Sequence, residues 1–204
     1  MIKKTLFVCF LILNTIYTTA QEEKHPMATG FHYGFGEQIK NTDYAYTNHF
    51  YKIQLYYSLK KTKHFQYQIL LQPEVNFATH QLLNFYFVTP DDPNFEAKRA
   101  EFTKLKDINE YVLNVGFLVR TVITKNFSFY VLGSVGPLIT DTATERLSKG
   151  FAFADVLAMG LSVKVNTITF DIRPSLRHTS NANLQKPNGG INTRNIEFGL
   201  SFPL

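Results

Sequence analysis

Bulky apolar side chains alternate with small or polar ones in segment after segment, a period of two that belongs to strands with unlike faces. Phe65, Tyr67, Ile69, Leu71, Val75 and Phe77 share one side, with Gln66, Gln68, Gln72, Glu74 and Asn76 on the other. Tyr51, Ile53, Leu55, Tyr57 and Leu59 repeat the pattern against Lys52, Gln54 and Ser58. Later segments carry Tyr111 to Val119, Phe127 to Val135, Phe151 to Val165, Ile168 to Leu176 and Ile196 to Phe202 on the bulky side. With Met27 to Gly36 as the first, the pattern predicts eight strands. Several exceed the roughly five or six residues usual in soluble sheets and reach the 9–11 that cross a bilayer at a tilt.

The connections alternate as well. Lys60 to His64, Ile123 to Asn126 and Asn166-Thr167 are tight, whereas Glu37 to Asn48, Ala78 to Asp107, Thr140 to Gly150 and Thr179 to Gly190 are long, the asymmetry of periplasmic turns and external loops. The face opposite the bulky one is mostly Gly, Ala, Ser, Gln and Asn. A soluble barrel would carry many more charges on its wet exterior. Small uncharged side chains suit the crowded interior of an eight-stranded barrel, so the bulky face points to lipid. The expected fold is all-β, an eight-stranded antiparallel transmembrane barrel. Pro73, Pro137 and Pro174 oppose it, since each removes a ladder donor, and they are expected at bulges or strand ends.

Composition narrows the chemistry. The 204 residues include 19 Phe and 11 Tyr, no Trp, and a single Cys at position 9. Disulfides, a Cys-based metal site and a Cys nucleophile therefore drop out. A basic Met1 to Lys4, an apolar Thr5 to Leu13 and small Thr18-Thr19-Ala20 read as a Sec-type signal peptide over residues 1–20. Residues 21–204 then form one barrel domain, exported to the outer membrane, and losing Lys3 and Lys4 lowers the +5 formal charge to a mildly basic one. Neither the five histidines at positions 25, 32, 49, 64 and 80 nor Gly34-x-Gly36 has the spacing or setting of a metal or dinucleotide site.

One constellation carries chemistry. His178 and Ser180, two apart on an extended chain, project to one side, as a serine nucleophile and its base require. If the last hairpin pairs Phe170 with Leu200 and Ile172 with Phe198, His178 faces Asn192, and Arg173 faces Glu197 on the lumen side. Parity sets His178, Ser180 and Asn192 on the lipid face, at an outer-leaflet position that a substrate would reach by lateral diffusion. The same parity turns the neighbouring acids Asp171 and Glu197 inward.

The run Arg177-His178-Thr179-Ser180-Asn181-Ala182, followed by Pro187-Asn188-Gly189-Gly190-Ile191-Asn192, resembles the signature of the lipid A 3-O-deacylase (PagL-type) family of outer-membrane barrels. The motif covers about a tenth of the chain, and the strand layout and leader agree with the family elsewhere. The resemblance implies a serine esterase that removes the acyl chain ester-linked at the 3-position of lipid A, without metal or cofactor. Ser180 would be the nucleophile, His178 the base, and Asn181 with backbone amides around Ala182 the oxyanion donors. Asn192 stands where the family has a glutamate; it can orient an imidazole but adds no charge. The expected partner is lipopolysaccharide in the outer leaflet, with no nucleic acid. Lys98, Arg99, Lys104 and Lys106 in the longest loop are candidates for lipid A phosphates. The alternatives are a non-catalytic small barrel with a structural or adhesive role, and an esterase acting on phospholipid or another acylated glycan.

Overall fold

The computed structural model describes residues 26–204, so the predicted leader lies outside the described residues. Eight antiparallel strands follow one another around a closed barrel, β1 (Met27–Gln38), β2 (Tyr44–Lys61), β3 (Phe65–Leu82), β4 (Lys106–Val122), β5 (Phe127–Thr140), β6 (Gly150–Val165), β7 (Ile168–Ser180) and β8 (Ile191–Pro203), with β1 closing on β8. Closure leaves no edge strand, which satisfies the backbone within a membrane.

The two faces separate as the alternation predicts. Tyr51, Ile53, Leu55, Tyr57, Phe117, Leu157, Phe170 and Phe198 stand exposed on the outside. An apolar band of that extent is far beyond what a water-soluble surface carries, and it matches a hydrocarbon surround. The lumen is filled. Near the ends of β2 and β7 distant from the long loops, Tyr56, Leu70, Leu118, Tyr130, Leu132 and Ala158 form one cluster. Above it lies a charged layer that the sequence reading understated. Glu197 accepts from Arg173 Nε and Nη2 at 2.9 and 2.6 Å and from Lys52 at 3.3 Å, while Glu74 pairs with Arg177 and Lys52. These charges are tolerable inside because each is paired at short range.

The prolines correct an expectation. Pro73, Pro137 and Pro174 lie within β3, β5 and β7, and each interrupts the ladder towards one neighbour only. Lys52↔Glu74 and Leu55↔Leu71 flank the first gap in one unbroken register, so no bulge forms there. The register shift falls instead between Ser58 and Lys60. The external connections are also shorter than predicted. β1, β2 and β3 run on past the bulky band, with Tyr44, Tyr46 and Leu82 packed inside, so that the loops are 39–43, 83–105, 141–149 and 181–190. The longest contains a 3-10 turn at Phe85–Phe87 and a helix, α1 (Phe95–Phe102).

Candidate active site at the outer rim

Inside contacts decide what points out. Arg173 and Arg177 on β7 turn into the lumen to meet Glu197 and Glu74, with Ser175 between them donating to Glu197 at 2.8 Å. Strict alternation then sends Phe170, Ile172, Leu176, His178 and Ser180 to the lipid face. The β7–β8 register is the one expected, with Arg173↔Glu197, Ile172↔Phe198 and His178↔Asn192.

His178 Nδ1 lies 2.7 Å from Asn192 Oδ1. An oxygen acceptor at that nitrogen holds the neutral ring's proton on Nδ1 and leaves Nε2 unprotonated, the form a general base needs. Gly190 (φ 65) backs the ring, where an added Cβ would fall 2.9 Å from His178 Cε1. Ser180 is half-buried on the same side, one strand repeat of about 7 Å from His178. Among the described residues its hydroxyl makes no hydrogen bond, to His178 or to any other group; serine–histidine contacts of this kind commonly tighten only when a substrate is bound.

Asn181 does not present donors to the serine. One residue beyond Ser180, it turns inward and is fully buried. Its side-chain amide donates to Ser148 Oγ, Gln185 O and Pro187 O at 2.9, 2.9 and 3.1 Å, and its backbone N–H donates to Asn188 Oδ1 at 2.8 Å. It anchors the 181–190 loop. The next two residues, Ala182 and Asn183, adopt left-handed backbone (φ 52 and 62). Among the described residues their N–H groups have no acceptor, which leaves two adjacent donors just past the serine.

The external loops lock this end. Arg146 Nε and Nη2 donate to Gly190 O and Gly189 O, both at 2.6 Å, and its guanidinium lies over the Tyr44 and Phe87 rings. Arg146 thus joins the 83–105, 141–149 and 181–190 loops to the start of β2. The basic residues of the longest loop, with Lys106 at the start of β4, are largely engaged locally. Lys98 reaches Asp92 at 3.5 Å, Lys106 reaches Glu101 at 2.7 Å, and Arg99 donates to Val88 O beneath Phe85, Tyr86 and Phe95. Lys104 stays exposed.

One group was missed. Asp155 on β6 is the cross-strand partner of His178 on the side opposite Asn192, and it faces outward. A carboxylate on the lipid side of a barrel is costly away from the interface. Its odd number between Phe153 and Leu157, on the bulky side of β6, was the available signal. From these residues an apolar groove of about 760 Å³ runs over Leu176, Leu157, Val135 and Gly133 to Val115 and Phe117.

A closed eight-stranded barrel with a bulky lipid-facing wall is the architecture of an outer-membrane barrel, and this one carries an oriented histidine and a serine at its rim. Residues 27–201 match the model of the lipid A 3-O-deacylase (PagL) family, and the chain belongs to that family. It is thus an outer-membrane lipid A deacylase, an ester hydrolase. Among solved structures it is similar to the outer membrane enzyme PagL, with TM-score 0.57, 12% identity, and coverage of 86% of this chain and 99% of that one. Neisserial surface protein A (NspA) gives TM-score 0.53 at 8% identity, over 90% and 100% of the two chains. At such identities the two structures speak for the fold alone. No curated protein matches the chain by sequence.

Proposed function

We propose that this deacylase is a serine esterase that cleaves the acyl ester at the 3-position of lipid A, with Ser180 as nucleophile and His178 as general base. His178 Nε2 takes the Ser180 proton as Oγ adds to the ester carbonyl, then returns it to the sugar oxygen as the C–O bond breaks. Water, deprotonated by the same nitrogen, releases the fatty acid from Ser180. Asn192 orients the ring. Asp155, across the strand, supplies the negative charge that Asn192 lacks. The N–H groups of Ala182 and Asn183 receive the oxyanion. The acyl chain lies in the apolar groove, so that substrate enters sideways from the outer leaflet.

The observation that carries this reading is the 2.7 Å His178–Asn192 contact on the lipid-facing side, beside Ser180. Residues 1–20 are read as the export signal, removed to leave one barrel domain. Mass spectrometry of lipid A from cells expressing wild type and Ser180→Ala tests the site. Wild type should strip the 3-position chain, and the variant should lose about a thousandfold or more in rate. Equal stripping by both would remove Ser180 from the mechanism, and an intact acyl pattern in both would favour a non-catalytic barrel.

A further inference from the structure

Most strand glycines face the lumen, where nothing larger fits: an added Cβ would fall 2.3 Å from the Phe50 ring at Gly34 and 2.2 Å from the Tyr130 ring at Gly160. Gly133 is different. It lies mid-strand in β5 and faces outward, and a Cβ there would meet nothing within 4 Å. Its cross-strand partners are Phe117 and Leu157, and Val131 and Val135 flank it on the same face. Glycine thus interrupts a bulky wall at a position that sterics leave free for any side chain. A strand glycine gives up packing and backbone entropy, and where no neighbour requires it, it marks the close approach of a ligand.

The position of the notch identifies the ligand. Gly133 lines the same groove as His178, Asp155 and Asn192. Ser180 is level with Phe153 and Phe153 with Pro137, and Gly133 lies four residues further along β5. Strand spacings put it roughly 17 Å from the serine. That is close to the hydrocarbon depth of one leaflet, about 15 Å, and so to the reach of a fatty chain whose ester sits at the rim.

We propose that Gly133 forms the floor of the distal acyl-chain subsite and sets the upper length of the chain that the enzyme removes. The inference rests on the Ser180 reading above. Filling the notch blocks the end of a long chain while leaving a short one untouched, so the effect is selective by length.

The test uses the full-length barrel in phospholipid vesicles containing lipid A preparations whose 3-position chains form a graded length series. Gly133→Leu should lower kcat/KM for the longest chains by about tenfold or more and leave the shortest within about twofold. Gly133→Ala should fall between. Val163→Leu, outward on β6 but away from the groove, should keep the wild-type profile. The heat-modifiable gel shift of a closed barrel checks folding of each variant. An unchanged length profile in folded Gly133→Leu, or an equal loss at every length, overturns the proposal. Ser180→Ala in the same vesicles reports separately on the site: undiminished release there would sink the serine reading and with it the distance that places the subsite, whereas an unchanged length profile in Gly133→Leu with Ser180→Ala inactive would sink the notch alone.

Discussion

His178 sits between two side chains of unequal charge, Asn192 at hydrogen-bond distance on β8 and Asp155 as its cross-strand partner on β6. The neutral neighbour fixes the tautomer and the charged one lies further off. On the proposed mechanism, the cation that would form on His178 when Ser180 gives up its proton would be less well compensated than beside a carboxylate. Asn192→Asp keeps the shape and adds that charge, and should raise kcat by about tenfold, the equivalent of 1.4 kcal/mol. Asn192→Ala removes the acceptor and should lower it about a hundredfold. Steady-state deacylation in vesicles measures both; a slower Asn192→Asp would show that charge at this position is not limiting.

Asp155 should matter most while Asn192 is neutral. Asp155→Asn is expected to cost about tenfold in kcat in the native background and much less when combined with Asn192→Asp, because one carboxylate then does what the other did. A double-mutant cycle on kcat reads that coupling directly. Strictly additive effects would mean that Asp155 acts elsewhere than on the imidazolium.

The loop beyond the serine depends on one buried amide. Asn181→Ala strips the donor from Ser148, Gln185 and Pro187 at once, and with it the buried amide that ties the loop down. We expect faster amide exchange and protease cleavage within 181–190, a loss of kcat of tenfold or more as the Ala182 and Asn183 amides lose their place, and little change in the barrel's unfolding midpoint. Retained activity with a loosened loop would remove those amides from the mechanism.

How far the sequence disclosed this site follows from what each residue's role depends on. The outward placement of His178, Ser180 and Asn192 is a matter of parity and register, and Arg173 opposite Glu197 was enough to read both. Asn181 was taken for an oxyanion donor because it follows the serine, yet the same alternation turns it inward, where the fold of the loop occupies its amide nitrogen. Asp155 was hidden for another reason: its pairing with His178 crosses the β6–β7 pair, whose register carried no charge pair to announce it. The lumen's ion network escaped because only Lys52 and Glu74 are cross-strand partners, while Arg177 on β7 and Glu197 on β8 reach them across the closed lumen. The prolines were misread because an outward-facing residue can lose one ladder bond without shifting its neighbours.

Glu197 separates stability from catalysis. It is almost completely buried and accepts from Arg173, Ser175 and Lys52, while His178 lies on the other side of the barrel wall. Glu197→Gln keeps the volume and removes the charge that both cations require, leaving Arg173 without its main counter-ion and Lys52 dependent on Glu74. Removing one partner of a buried pair costs about 3–5 kcal/mol. The urea midpoint of unfolding in vesicles should therefore drop markedly, while the folded fraction keeps kcat and chain-length profile within about twofold. Asn192→Ala should do the opposite, with stability held and kcat lost. If Glu197→Gln instead lowered kcat in barrels that remain folded, the lumen would be coupled to the rim through β7, since Arg173 and His178 lie on that one strand.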